Sequence, residues 1–160
     1  MANQTRKPPP SGADVATAEV ASQIRRELIA LIAEPFSLLL GKDLYRAIVY
    51  RIEERAPVIA VQLVADDNPK AEQLTTDLMY LLWGPAEPNP EWWTTPLGGV
   101  CARHLQHPAA DAVSYQNAAV MLNTTRADII HLVKTGKLEP HPDGGITRTS
   151  IHLRQHHPET

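Results

Sequence analysis

Residues 113–138 read VSYQNAAVMLNTTRADIIHLVKTGKL, and each part of this stretch has a distinct local job. Ser114 is placed to cap a short helix. Ala118 and Ala119 are small enough for a second helix to cross closely, and Leu122 anchors the crossing from below. Asn123 falls where the chain must turn tightly, and asparagine tolerates the left-handed conformation that most residues resist. Thr125 then caps a second helix, whose Ile129, Leu132 and Val133 recur three and four apart and face inward. Arg126, Ala127, Asp128, Ile130, His131 and Lys134 are left toward the other side. Two short helices joined by so tight a turn predict a helix-turn-helix, with the start of the second helix entering a DNA major groove.

The next residues extend that unit. Gly136 stops the second helix and Leu138 returns to the core. Residues 139–141 and 146–148 read as two short strands, and Pro142-Asp143-Gly144-Gly145 between them is a hairpin turn in which the glycines supply positive φ. This predicts a wing, with Thr149 capping a last helix that contains Ile151 and Leu153. The expected DNA contacts are Thr125, Arg126, Ala127, Asp128, Ile130, His131, Lys134, Lys137, His141 and Arg148. Arg126 is the expected base reader, because its planar fork matches guanine, and Ala127 allows close approach to a thymine methyl. Lys134 and Lys137 are expected on phosphates, with Arg148 and protonated His141 reaching backbone or minor groove from the wing.

The segment resembles the excisionase-like and MerR-like winged helix-turn-helix domains. The matching residues are Ala118-Ala119, Leu122-Asn123-Thr124-Thr125, the helix over 126–134, Gly136-Lys137-Leu138 and Asp143-Gly144-Gly145. Asn123 stands where that pattern usually has glycine, and Asp128 and Ile130 where polar or aromatic contacts are common. The resemblance covers about the last third of the chain. It implies DNA binding in a transcription regulator, a phage excisionase or a small terminase subunit.

Upstream, residues 1–12, with Arg6, Lys7 and three consecutive prolines, carry too little apolar content to fold and are expected to be a disordered tail. Residues 13–84 read as a helical domain. Val15, Val20, Ile24, Leu28, Leu31 and Ile32 form one stripe, residues 36–40 an apolar cluster closed by Gly41, and Leu44, Ile48 and Ile52 a further stripe. The β-branched residues of 47–63 also permit a strand, but frequent alanine and Pro57 in a first helical turn favour helix. Asn68-Pro69 reads as the start of a helix that buries Leu74, Leu78, Leu81 and Leu82 and ends at Gly84-Pro85. Residues 85–111 are a proline- and tryptophan-rich connector. In it, Trp92-Trp93 pin the chain to the helical body, and Thr95-Pro96 opens a short helix. The winged unit occupies 112–157. The expected class is therefore mainly α: an N-terminal helical domain, then a winged helix-turn-helix with a small β-hairpin.

The 160 residues carry a formal charge of −3, which argues against a histone-like, generally adhesive nucleic-acid binder. Residues 114–157 nevertheless hold five Lys or Arg against three acids, so the net negative charge sits elsewhere in the chain. One cysteine excludes an intramolecular disulfide, and no apolar run reaches membrane-spanning length. Cys101 reads as core rather than nucleophile, and the pairs His104/His107 and His152/His156 as surface histidines rather than metal ligands. The expectation is a cytoplasmic, nucleoid-associated regulator that binds double-stranded DNA, with no catalysis, cofactor or membrane contact. Self-association or a protein partner is expected through the N-terminal helices, with residues 36–40 and Leu74, Leu78 and Leu81 as candidate surfaces. The alternatives are a winged module that docks another protein, as a recombination or packaging accessory factor would, and an N-terminal domain that senses a small ligand.

Overall fold

The structure is a computed structural model that describes residues 11–65 and 68–157. The tail expected over residues 1–12 lies, apart from Ser11 and Gly12, outside the described residues. Ser11 caps the first helix and Gly12 opens it. Helix α1 (Gly12–Leu28) starts on a reciprocal cap in which Ser11 and Asp14 each satisfy the other's backbone N–H. It runs through a π turn (Ile29–Ala33) directly into α2 (Glu34–Val64). Gly41, at φ +70, breaks α2, and the chain doubles back along α1. Residues 47–63 are therefore helix rather than strand. Pro57 lies in the interior of α2 rather than in a first turn. It sits on the exposed side, where the carbonyl it leaves without a partner meets water.

Two apolar cores result. The first joins Val20, Ile24 and Leu28 of α1 to Ile52, Ala56, Ala60 and Leu63 of α2, where alanines let the helices approach closely. Helix α3 (Ala71–Trp83) adds Leu78, with Leu74 and Leu82 packed at the margin. Leu81, expected in this stripe, is 49 % exposed because the core closes before reaching it. Asn68 caps a turn just ahead of α3, accepting from the Lys70 N–H, so the helix itself begins two residues after Pro69.

A 3-10 turn (Pro90–Thr94) brings Trp92 into the same core, where its Nε1 donates to Glu27. Trp92 meets Trp83 and Trp93 edge-on, and Trp93 stacks on His107 at 3.9 Å, so the tryptophans do pin the connector. Helix α4 (Pro96–Leu105) follows, capped by Thr95 and inserted as a wall of the first core through Leu97, Val100 and Cys101. Gln23 of α1 accepts from the Leu97 N–H and donates to Thr95, which ties α1 to the start of α4.

The second core contains Val113, Ala118, Ala119, Ile129, Leu138, Ile146 and Ile151. It is built by β1 (Ala112–Val113), α5 (Tyr115–Met121), α6 (Arg126–Lys134), β2 (Ile146–Thr147) and α7 (Arg148–His156). The two strands pair antiparallel, Ala112 with Thr147 and Val113 with Ile146. The chain is thus mainly helical with one small sheet. No helix among the described residues is long and apolar enough to cross a membrane.

Gly98 and Gly99 separate packing from propensity. A methyl on Gly98 would overlap the Trp92 carbonyl, whereas one on Gly99 meets nothing closer than 4.0 Å. Gly98→Ala should lower stability by about 1–3 kcal/mol. Gly99→Ala, at an exposed helical site, should raise it by up to about 1 kcal/mol. Urea unfolding followed by circular dichroism reads both values.

Candidate nucleic-acid interface

Helix α5 starts at Ser114, whose hydroxyl accepts from the Asn117 N–H, and it ends at Leu122. Asn123 then takes φ +49, the left-handed turn expected of it. Thr125 caps α6 by accepting from the Asp128 N–H. Ile129 is fully buried and Leu132 and Val133 pack against the same core, as their spacing predicts. These anchors leave Ala127, His131 and Lys134 exposed and Arg126 and Ile130 half-buried. Residues 127, 130, 131 and 134 lie three and four apart, so they share one side of the helix. Lys137, just past Gly136, is exposed too.

Asp128 has an internal task. Its carboxylate accepts from the Thr125 N–H at 3.1 Å and from the hydroxyls of Thr125 at 2.6 Å and Thr124 at 2.8 Å. These bonds hold its pKa below the usual carboxylate value. With Thr125 it forms a reciprocal box that fixes the start of α6. The acid on an otherwise neutral-to-basic face is thereby explained by capping, with all three bonds falling on one carboxylate oxygen, Oδ2. Gln155 of α7 closes the other side by donating to the Met121 carbonyl.

The 139–147 segment differs in part from the hairpin expected as a wing. Strand β2 pairs with β1, while residues 139–141 contribute a single bridge, Pro140 opposite Ile146. The His141 N–H to Gly145 carbonyl and Thr147 N–H to Glu139 carbonyl bonds, both 2.9 Å, flank this bridge and hold the edge. Thr147 rather than Thr149 caps α7, by accepting from Ser150, because β2 runs straight into the helix.

The turn over residues 142–145 also folds back onto the N-terminal body. Arg103 of α4 donates to the Asp143 carbonyl at 2.6 Å. At Gly145 (φ +81) a Cβ would come within 2.6 Å of the Arg103 Cδ and of the Val113 carbonyl oxygen. Only glycine fits there, for conformation and for space. His141 lines a 460 Å³ cleft between this turn and the start of α4, together with Trp93, Arg103 and Asp143. Arg148 spends its guanidinium on the connector, donating to the carbonyls of Ala110 at 3.0 Å and His107 at 3.2 Å. The structure therefore gathers Arg126, Ala127, Ile130, His131 and Lys134 on α6. It places His141 at the cleft and Arg148 against the connector.

His104, expected at the surface, is buried, because it lies on the inward side of α4. Its Nε2 donates to the Leu63 carbonyl at 2.7 Å. Burial pushes its pKa down to about 4, Arg103 acting in the same direction against the raising effect of the carbonyl bond. The His104 carbonyl in turn accepts from Asn117 of α5 at 2.6 Å. Cys101 beside it is fully buried, with its pKa pushed up to about 12 chiefly by desolvation, which keeps the thiol protonated and inert. Arg103, His104 and Asn117 were not legible as joint residues, since polar residues on a short helix carry no sequence mark of which face turns inward.

No protein-family model, curated protein or solved structure matches this chain.

His104 makes stability depend on pH in a defined window. Its folded pKa lies below its ordinary value of 6.5, so the unfolded chain binds the proton first as pH falls. The contribution is intact above about pH 6.5 and is lost progressively toward pH 4, amounting to about 3 kcal/mol. His104→Gln keeps a donor for Leu63 but cannot titrate. Urea midpoints compared across this window should fall less steeply for the variant than for the parent protein.

Proposed function

We propose that the chain binds double-stranded DNA as a sequence-specific regulator, with α5, the turn, α6 and the 139–147 segment acting as a winged helix-turn-helix. The observation that carries this reading is α6 itself. It is capped by the Thr125–Asp128 box, anchored by Ile129, and presents Ala127, Ile130, His131 and Lys134 on one accessible side with Arg126 at its first position. A helix held rigidly at its N-terminal end, with small and basic residues outward, is what major-groove entry requires. Arg126 reads a base, Ala127 permits close approach, and Lys134 and Lys137 neutralise phosphates. Thr125 and Asp128 hold the helix start in place. Because His141 and Arg148 face the cleft and the connector, phosphate contact rests mainly on α6 and the residues just after it.

The charge balance fits such a reader. A body carrying the net negative charge disfavours general adhesion to DNA, while the basic excess of residues 114–157 supplies local attraction. Arg126→Ala should weaken binding to a selected duplex by about 1–3 kcal/mol and relax preference at one base position. Lys134→Ala should weaken all duplexes alike and lower the salt slope by about one unit. Fluorescence anisotropy over a salt series, on duplexes recovered by selection from random sequence, measures both effects. Unchanged affinity and slope in both variants would overturn the reading and leave a winged module that docks protein.

A further inference from the structure

Helix α2 buries Ile52, Ala56, Ala60 and Leu63 against its own chain. On its outer side Leu44, Ala47, Arg51, Glu54, Val58 and Val61 are all exposed, the three larger apolar residues by 48, 41 and 57 % respectively (Leu44, Val58, Val61). Their spacing alternates three and four, so they form a single seam along the helix, the pattern by which two helices pack side by side. No element among the described residues covers them, and the charged pair lies at the middle of the seam with apolar residues toward both ends.

We propose that this seam is a contact between two copies of the chain, with the two α2 helices antiparallel. One register satisfies every position at once. Leu44 meets Val61 of the second copy, Ala47 meets Val58, and Arg51 meets Glu54, and symmetry repeats each pair. The small Ala47 faces the branched Val58, and each charge faces its opposite. A patch that complements itself under a two-fold axis is the requirement for a closed dimer. The existing bond between Arg51 and Glu54 within one helix, 2.9 Å long, is an exposed pair that contributes little by itself and leaves both groups able to pair across the seam. A six-residue seam is small beside stable interfaces of about 20–30 residues a side, so the dimer forms in the micromolar range.

Sedimentation velocity from about 1 to about 200 µM reads the assembly without DNA, so its outcome is independent of the DNA-binding reading. The full chain should pass from its 17.6 kDa monomer to twice that mass. Arg51→Glu and Glu54→Arg each place like charges across the seam twice, and each should raise the dissociation constant at least about tenfold. Mixing the two variants restores opposite charges and should restore a one-to-one dimer. Direction is read by cysteine pairing: Ala47→Cys should cross-link to Val58→Cys on mixing, and neither should cross-link to itself. Cys101 is fully buried and does not interfere. All four substitutions lie at exposed positions, and circular dichroism verifies their helix content. A parent chain monomeric throughout, a dimer indifferent to Arg51→Glu, a mixture that stays monomeric, or self-cross-linking of Ala47→Cys would each overturn the proposal.

Discussion

Helix α4 is the part on which both cores depend. Its Leu97, Val100 and Cys101 complete the N-terminal core, while the polar groups at its end leave that core to hold its neighbours. His104 donates to Leu63 at the end of α2, Arg103 to Asp143 in the 142–145 turn, and the His104 carbonyl accepts from Asn117 at the start of α5. Each such bond adds only about 1 kcal/mol net, but leaving any of these buried groups without its partner costs about 1–3 kcal/mol. Apolar burial therefore supplies the stability, and these bonds fix one relative placement of the two cores. Desolvation holds His104 neutral, which allows it to serve as a donor inside the joint without the cost of a buried charge.

That placement has a consequence for the outer surface. The 142–145 turn is tied to α4 by Arg103 and Gly145, and the connector is tied to α7 by Arg148. The cationic groups that a sequence reader would assign to a ligand are partly spent on carbonyls of the same chain. Along α6 the reverse holds. Asp128, the one acid there, remains exposed, but its Oδ2 is engaged in capping Thr125 beside the small and basic residues of the helix. Both effects follow from the same rule, that a polar side chain near an unsatisfied backbone group is drawn to it first.

Much of the second core was legible before the fold. Ser114, Asn123, Thr125 and Gly136 act through their own backbone geometry, and a cap or a left-handed turn is decided within four residues. The inward spacing of Ile129, Leu132 and Val133 likewise needs only the helical period. Leu81, His104, Arg148 and the second strand partner of Ile146, Val113, were not legible. Each depends on what lies across a gap of many residues: where the core closes, which side of α4 turns inward, which carbonyls the connector offers, and that Ala112–Val113 comes to lie along the other edge of β2.

The sequence by itself determined a mainly helical chain, the caps and turns of residues 113–138, and the set of residues presented by α6. Those features are local, governed by backbone sterics, hydrogen-bonding side chains and a 3.6-residue period. Only the tertiary structure decided how α4 joins the two cores, that the 142–145 turn is held against the body, and that no element among the described residues covers one long side of α2. Those depend on contacts between residues as far apart as Arg103 and Asp143, whose meeting is set by the packing of the whole chain.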